Sequence, residues 1–307
     1  MDALTPQTEM NQPETLHRAL ARWNGERLAA GLPVSSWEAA LAAEMEYRLA
    51  EGRFLDDARA RTEPWLGDVP EKPREFLDWF EQLRQTGPGQ QHDFFDWIAE
   101  ECRDEEMRWF LRQEVAGEAG FEDLVAYTQV KLPAAAKLEM ARNYWDEMGR
   151  GKPKAMHGPL LGRMVHELAL EPSVDNTIWE ALALANTMVG LALNRPFAFQ
   201  SLGALGAIEL TAPDRARKVV EGMRRLGYSP HVRSYFDLHA VIDLHHSEAW
   251  NRNVLRPLLE EDPYRNIAIA EGAIMRLQCG EACFERYCSE LCPVWAREAA
   301  PASETPA

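Results

Sequence analysis

The stretch FDLHAVIDLHHSEAW, residues 236–250, decides how the rest of the chain is interpreted. An α-helix places residues that are three and four positions apart on one face. His239, Asp243 and His246 therefore share one narrow face, whereas His245 points away from it. Apolar residues surround this face, so two imidazoles and a carboxylate are aimed at the interior. This pattern is typical either of hydrogen-bonded core residues or of metal ligands.

Other segments supply ligands that match this face. In NYWDEMGRGKPKAMHG, residues 143–158, Glu147 falls in the last turn of one helix and His157 at the start of the next. Gly149, Gly151 and Pro153 between them favour a sharp turn. The sequence therefore predicts that the Glu147 and His157 side chains approach a common point.

A lone carboxylate, Glu209, is the only charged residue in GALGAIELTAP, residues 203–213. A buried carboxylate is costly unless it is paired or bound to a cation. Glu209 is thus a further candidate ligand, and the alternative is a helix-end residue that faces water.

A fourth helix offers carboxylates at Glu114, Glu118 and Glu122, which lie four residues apart on one face. This helix and the helix over 133–148 are expected to run antiparallel, which puts Glu118 level with Glu147. Glu114 would lie one turn further away and Glu122 one turn nearer. A bend would change the choice, so Glu114 and Glu118 both stay candidates. For each of the three, a solvated surface position is the alternative.

Mixed imidazole and carboxylate ligands suit iron or manganese, whereas structural zinc sites prefer thiolates. Helical bundles build two-metal sites by projecting such residues inward from facing helices. The ferritin-like version needs two Glu-x-x-His pairs, and this chain has one, Glu14–His17. The ferritin-like fold is therefore disfavoured.

Composition and periodicity indicate an all-α protein with no alternating β pattern. We expect a helical N-terminal extension over 1–75, a bundle over 76–293 and a disordered tail over 294–307. We also expect Ser35 or Ser36 to cap a helix, one long helix over 94–130 bent near Gly117 and Gly120, and separate helices over 197–210 and 213–226.

The 307 residues carry a net charge of −16, which argues against nucleic acid and anionic membranes as partners. The N-terminus has no secretory pattern, and the longest apolar run, residues 181–193, is too short to span a bilayer. Five cysteines do not make a disulfide scaffold, so a cytoplasmic protein is expected.

In CGEACFERYCSELC, residues 279–292, the first two cysteines face away from the last two on a continuous helix. Free thiols are expected there, with metal binding or redox sensing as alternatives.

Taken together, these elements resemble a known family. NYWDEMGRG with a His ten residues after its Glu, and a Glu thirty residues before His-x3-Asp-x2-His, is similar to the haem-oxygenase-like diiron oxidases and oxygenases, an iron-containing redox enzyme family. The resemblance covers roughly residues 90–290. It implies a haem-oxygenase-like helical bundle of about seven core helices that holds two Fe(II) ions per chain and no haem. The ligands that it implies are Glu147, His157, Glu209, His239, Asp243 and His246, with Glu114 or Glu118 from the first helix.

The resemblance further implies that dioxygen is the co-substrate and that a small amine, amino acid or fatty acid is oxidised, by N-oxygenation or oxidative C–C cleavage. A small-molecule substrate is expected, with no nucleic acid or membrane partner, and a homodimer is one option for the assembly. A helical binding protein that kept the bundle without turnover is one alternative, and a haem-handling protein of the same shape is another. Arg142 would pair with a substrate carboxylate or with a neighbouring Glu. Aromatic residues expected to line a dry pocket are Tyr144, Trp145, Trp179, Phe197, Phe199 and Tyr235.

Overall fold

The computed structural model of the chain describes residues 12–33, 36–118 and 120–292, with the side chains of residues 117 and 118 excepted. Within these ranges the chain is helical and contains no β-strand, which confirms the all-α prediction. The predicted tail over 294–307 and Ser35 lie outside the described residues. The helices are α1 Pro13–Leu28, α2 Trp37–Ala60, α3 Glu63–Leu66, α4 Pro73–Thr86, α5 Phe94–Glu100, α6 Asp104–Glu118, α7 Phe121–Thr128, α8 Ala134–Glu147, α9 His157–Glu167, α10 Trp179–Leu193, α11 Ala198–Arg225, α12 Pro230–Trp250, α13 Arg256–Glu261 and α14 Arg265–Leu291.

The N-terminal helices pack directly on the bundle. Ser36 caps α2 as expected, because its hydroxyl accepts a hydrogen bond from the Ala39 amide at 3.2 Å. Leu20 and Trp23 of α1 belong to the same buried core as the bundle helices. A buried ion pair, Arg27 to Glu51 at 2.5 Å, ties α1 to α2. The domain boundary at residue 75 stays a prediction.

The helix expected over 94–130 is three helices, α5, α6 and α7. The break before α7 occurs at Gly120, whose φ of 86° is left-handed, and it was predicted. The break between α5 and α6 was not predicted. There Glu106 accepts a hydrogen bond from the Arg103 amide at 2.7 Å, which satisfies a free donor at the start of α6. Because no Ser or Thr precedes Glu106 at the capping position, this helix start could not be recognised from the sequence.

The two helices expected on either side of Pro213 are one continuous helix, α11, so that prediction was wrong. A proline inside a helix removes one hydrogen bond, but packing can offset the loss. Most of α11 is buried, and it runs against α14 so closely that a Cβ on Gly203 would lie 1.8 Å from the Ile269 carbonyl oxygen. Gly272 meets the Gln200 carbonyl oxygen at the same distance. α11 therefore continues through the buried Pro213, and its N-terminal half packs closely on α14.

The elements that carry the predicted ligands are neighbours in space. α12 packs against α8, α9 and α11, and α7 packs against α8 and α11. None of the helices in the described part of the chain is both long and apolar enough to cross a lipid bilayer.

Candidate metal centre

The turn between α8 and α9 brings Glu147 and His157 together as predicted. Gly149 and Gly151 have φ of 62° and 77°, which glycine adopts without strain. A Cβ on Gly149 would lie 2.5 Å from the Ala155 carbonyl carbon, so the turn also requires the missing side chain. Both Glu147 and His157 are buried, and a Glu147 carboxylate oxygen contacts His157 Nδ1.

The helical face of α12 points inward as the spacing predicts. Asp243 and His246 are buried, His239 is half-buried, and His245 is exposed. His239 Nδ1 lies 2.9 Å from the Tyr235 carbonyl oxygen, which fixes the orientation of the ring. Its ring meets the His157 ring edge-on, with 4.6 Å between centroids. His239 therefore lies beside the α8–α9 turn.

Among the residues that the structure describes, two groups of donor atoms are close enough to hold metal ions, and they share Glu147. The first is Glu147, His157 and His239, and the second is Glu147, Glu209 and His246. Within each group the ligand atoms lie within 4.8 Å of one another. A carboxylate common to two adjacent groups is the arrangement that a bridging ligand requires.

The second group is held in place by its neighbours. His246 Nδ1 lies 3.4 Å from a Glu209 oxygen and 3.7 Å from an Asp243 oxygen. The other ring nitrogen, His246 Nε2, lies 3.3 Å from an Asp146 oxygen. The Asn143 amide donates a hydrogen bond to Glu209 at 2.5 Å. Such outer contacts orient ligands and fix the imidazole tautomer. Sequence reasoning missed Asn143 and Asp146, because polar residues near a helix end are common.

The buried acids and imidazoles perturb each other's protonation. Burial raises the pKa of Glu147 to about 8, and the nearby Glu209 charge adds to this rise. Burial lowers the pKa of His157 to about 4. Burial also lowers the pKa of His246, but Glu209 and Glu147 raise it more, to about 9. Without a cation, therefore, Glu147 and His246 both hold protons near neutral pH.

The donor set fits a metal ion. The Nδ1 atoms of His157 and His246 are buried, and among the described residues neither makes a hydrogen bond of acceptable geometry. A buried polar atom without a hydrogen bond costs free energy, and a coordinated cation would remove that cost. The combination of imidazoles and carboxylates suits iron or manganese.

Of the carboxylates before α8, Glu114 and Glu122 both line the cavity at the centre. Glu114 accepts a hydrogen bond from the Tyr287 hydroxyl at 3.0 Å and lines the cavity at the centre. The Glu118 side chain lies outside the described residues. Glu122 also lines this cavity, and a Cβ on Gly158 would lie 3.3 Å from its carboxylate. Because the backbone at Gly120 is left-handed, the regular helical spacing is interrupted before Glu122. Counting turns along a single helix therefore could not have selected Glu122.

A cavity of about 50 Å³ adjoins the centre. Of the aromatic residues expected to line a pocket, Tyr235 lies on its wall, whereas Trp145 is 54% exposed and Trp179 lines another cavity. Tyr144, Phe197 and Phe199 pack against the core. The apolar walls consist of Phe95, Phe121, Leu161, Ile208, Val219 and Phe236.

The Arg142 guanidinium pairs with Glu139 at 2.7 Å, and a neighbouring Glu was one of its two expected partners.

The C-terminal cysteines are free thiols, as expected, and so is Cys102. Burial raises the pKa of Cys283 and of Cys279. These thiols are therefore protonated and poorly reactive at neutral pH.

The fold is an all-α bundle in which buried imidazoles and carboxylates surround one shared Glu. This arrangement is typical of the class of helical proteins that bind iron or manganese. The family model described as iron-containing redox enzyme matches residues 108–281, and the chain belongs to this family. The matched region contains every residue of the two donor groups. No curated protein matches this chain. Membership of this family supports the assignment of the chain as an iron-dependent oxidoreductase.

Proposed function

We propose that the protein is a non-haem diiron oxygenase or oxidase that uses dioxygen to oxidise a small amine, amino acid or fatty acid. The observation that supports this most directly is the pair of donor groups that share Glu147. A mononuclear site would need only one of these groups. N-oxygenation and oxidative C–C cleavage are the reactions that we favour.

The geometry supports the following choice of residues to hold the two irons. His157 and His239 would bind the first ion, and Glu209, Asp243 and His246 would bind the second, with Glu147 between them. Glu122 and Glu114 are the candidates for a further carboxylate from the wall of the cavity. When bound, ferrous iron supplies the electrons and open coordination positions that dioxygen activation needs.

The remaining residues would position these ligands and exclude water. Asp146 holds the His246 ring so that Nδ1 faces the centre, and Asn143 holds one oxygen of Glu209. The apolar wall residues limit the access of water, which protects reactive species from side reactions. Tyr235 and Phe236 lie where α12 meets the cavity and would contact the substrate.

The test is anaerobic loading with ferrous iron, followed by exposure to oxygen. We expect about two irons per chain and a transient visible absorption band that depends on oxygen. Iron uptake without an oxygen-dependent absorbance change would contradict the proposal and favour a binding protein.

Two neighbouring histidines provide a matched comparison for this test. His246→Ala should lose about one iron per chain with little change in helicity, because it removes a ligand from one donor group. His245→Ala removes an exposed imidazole from the same helix and should keep wild-type iron content. Equal iron content in the two variants would refute the assignment of His246.

A further inference from the structure

A second and larger cavity lies between the N-terminal helices and the bundle. It measures about 560 Å³ and is bounded by α1, α2, α10 and α14. The cavity beside the metal centre is bounded by other elements, and among the described residues the two cavities have no lining residue in common. A volume of this size is typical of sites for small molecules. The family match begins at residue 108, after α1 and α2.

The inner part of this cavity is apolar and rich in rings. The His17 ring stacks on Trp179 with 5.7 Å between centroids and an angle of 11° between planes. Phe54 meets the same imidazole edge-on at 4.6 Å. Ala183 and Met275 complete this part of the wall. A flat or apolar ligand body would find offset and edge contacts here.

His17 supplies a single hydrogen bond donor to this wall. Burial lowers its pKa to about 4, so the ring is neutral at pH 7. The Asn186 amide nitrogen donates to the His17 carbonyl oxygen at 2.9 Å and lies 3.4 Å from His17 Nδ1. Because the Asn186 oxygen already accepts from Asn24 at 2.8 Å, its nitrogen faces the imidazole and Nδ1 is the acceptor. The proton of the neutral ring is therefore on Nε2.

The mouth of the cavity carries two exposed arginines. Arg53 and Arg61 are exposed, and within the described ranges neither lies within 4.0 Å of a carboxylate oxygen. Arg59, on the same turn of α2, differs because it approaches Glu271 at 4.0 Å and does not line the cavity. The charge of Arg61 also acts on His17 and adds to the lowering of the pKa of this imidazole.

Three acids also line the cavity and restrict the charge of a ligand. Glu46 and Asp57 lie with the arginines on α2, and Glu180 is buried on the opposite wall. Their charges oppose binding of a polyanion. Glu180 also opposes a carboxylate at the inner end, which leaves the arginines at the mouth as the place for a single carboxylate.

We propose that this cavity binds a small carboxylate with an aromatic or otherwise apolar body. The carboxylate would pair with Arg61 and Arg53, since a guanidinium matches the two oxygens of a carboxylate. The apolar body would lie among Phe54, Trp179 and Met275, and a polar atom on it would accept from His17 Nε2. The site is separate from the metal centre and does not depend on the function proposed above.

Calorimetric titration of the full chain tests this site with two probes that share a ring system and differ in charge. Indole-3-propionate carries a carboxylate, whereas tryptamine carries an ammonium group. We expect indole-3-propionate to bind saturably at one site, and tryptamine to bind about tenfold more weakly or not at all. No saturable binding of indole-3-propionate, or equal binding of both probes, would overturn the proposal.

Variants locate the binding. Arg61→Gln should weaken indole-3-propionate binding about tenfold, while Arg59→Gln, on the same turn, should leave it unchanged. Equal effects in the two variants would overturn the assignment to this cavity. Glu147→Gln, which disrupts the metal centre, should bind the probe like the wild type, and loss of binding there would instead place the probe at the metal centre. Since both arginines are exposed, neither substitution is expected to unfold the protein.

Discussion

Two regions of this molecule bury a glutamate to the same degree and treat it in opposite ways. Glu51, between α1 and α2, and Glu147, at the end of α8, are both 3% exposed. Glu51 is paired with Arg27 at 2.5 Å and also accepts from the Asn194 amide at 2.9 Å. Glu147 instead lies among further acids and imidazoles, without an arginine or lysine within 4.0 Å among the described residues.

The difference distinguishes a carboxylate that stabilises the fold through fixed partners from one that is available to bind a cation. A buried charge with a complete set of partners is compatible with a stable fold, whereas one without them opposes folding unless it is neutralised. The pKa of Glu147 is raised to about 8, which is the sign of such an incomplete environment. Substitution of Glu51 should therefore lower the stability of the fold and leave iron binding unchanged. Substitution of Glu147 should raise the stability of the iron-free fold and impair iron binding.

The largest effect is expected at the structural pair. Glu51→Ala leaves Arg27 buried without its partner, and we expect the free energy of unfolding to fall by about 3–5 kcal/mol. Chemical denaturation monitored by helicity measures this. Iron content of the folded fraction should not change. A loss below about 1 kcal/mol would remove the contrast, because it would mean that the pair behaves like a surface salt bridge.

Glu147→Gln should change the free energy of unfolding of the iron-free protein in the opposite direction from Glu51→Ala. A carboxyl whose pKa is raised to about 8 holds its proton in the folded state but loses it on unfolding at pH 7.5, which costs stability. Replacing it by the neutral amide should raise the free energy of unfolding by about 2 kcal/mol at pH 7.5. This gain should disappear as the pH falls toward the ordinary Glu pKa, where both states are protonated. A destabilised iron-free variant at pH 7.5 would contradict this explanation.

Iron binding should strengthen as the pH rises. Near pH 6 the iron-free centre holds protons on Glu147 and His246, whose pKa values are raised to about 8 and about 9. A metal ion must displace both protons, so we expect affinity for ferrous iron to rise by about a hundredfold per pH unit between pH 6 and pH 7.5. Anaerobic competition with a chelator measures the slope. An affinity independent of pH would show that these protons are not displaced.

The smallest effect is expected from a residue that positions a ligand. Asp146→Asn weakens the contact that orients His246 and should lower iron affinity by about tenfold, at the lower end for such contacts. Asp146 also pairs with the exposed Arg150 at 2.6 Å, so Arg150→Gln is the control and should leave iron affinity unchanged. If both variants lose affinity equally, the effect comes from the turn and not from His246.

The sequence predicted those parts of the centre that depend on local geometry. Helical spacing was enough to put His239, Asp243 and His246 on one inward face, and the glycines after Glu147 were enough to predict the turn to His157. Glu209 was predicted to be buried because it is the only charge in an apolar helix, and it is buried.

Features that depend on tertiary packing were not predicted. The left-handed Gly120 separates α6 from α7, so helical spacing alone could not place Glu122 on the wall of the cavity that Glu114 also lines. α11 continues through Pro213, against the local preference of proline, and most of this helix is buried in the bundle. The large N-terminal cavity arises where α1 and α2 pack on α10 and α14, and no periodicity in the sequence describes such a gap.

The most direct test of the shared Glu147 is a crystal structure of the protein loaded anaerobically with ferrous iron, with anomalous diffraction measured at the iron absorption edge. We expect two anomalous peaks on either side of the Glu147 carboxylate, one beside His157 and His239 and the other beside Glu209 and His246. A single peak, or iron bound elsewhere with Glu147 unliganded, would contradict the diiron assignment.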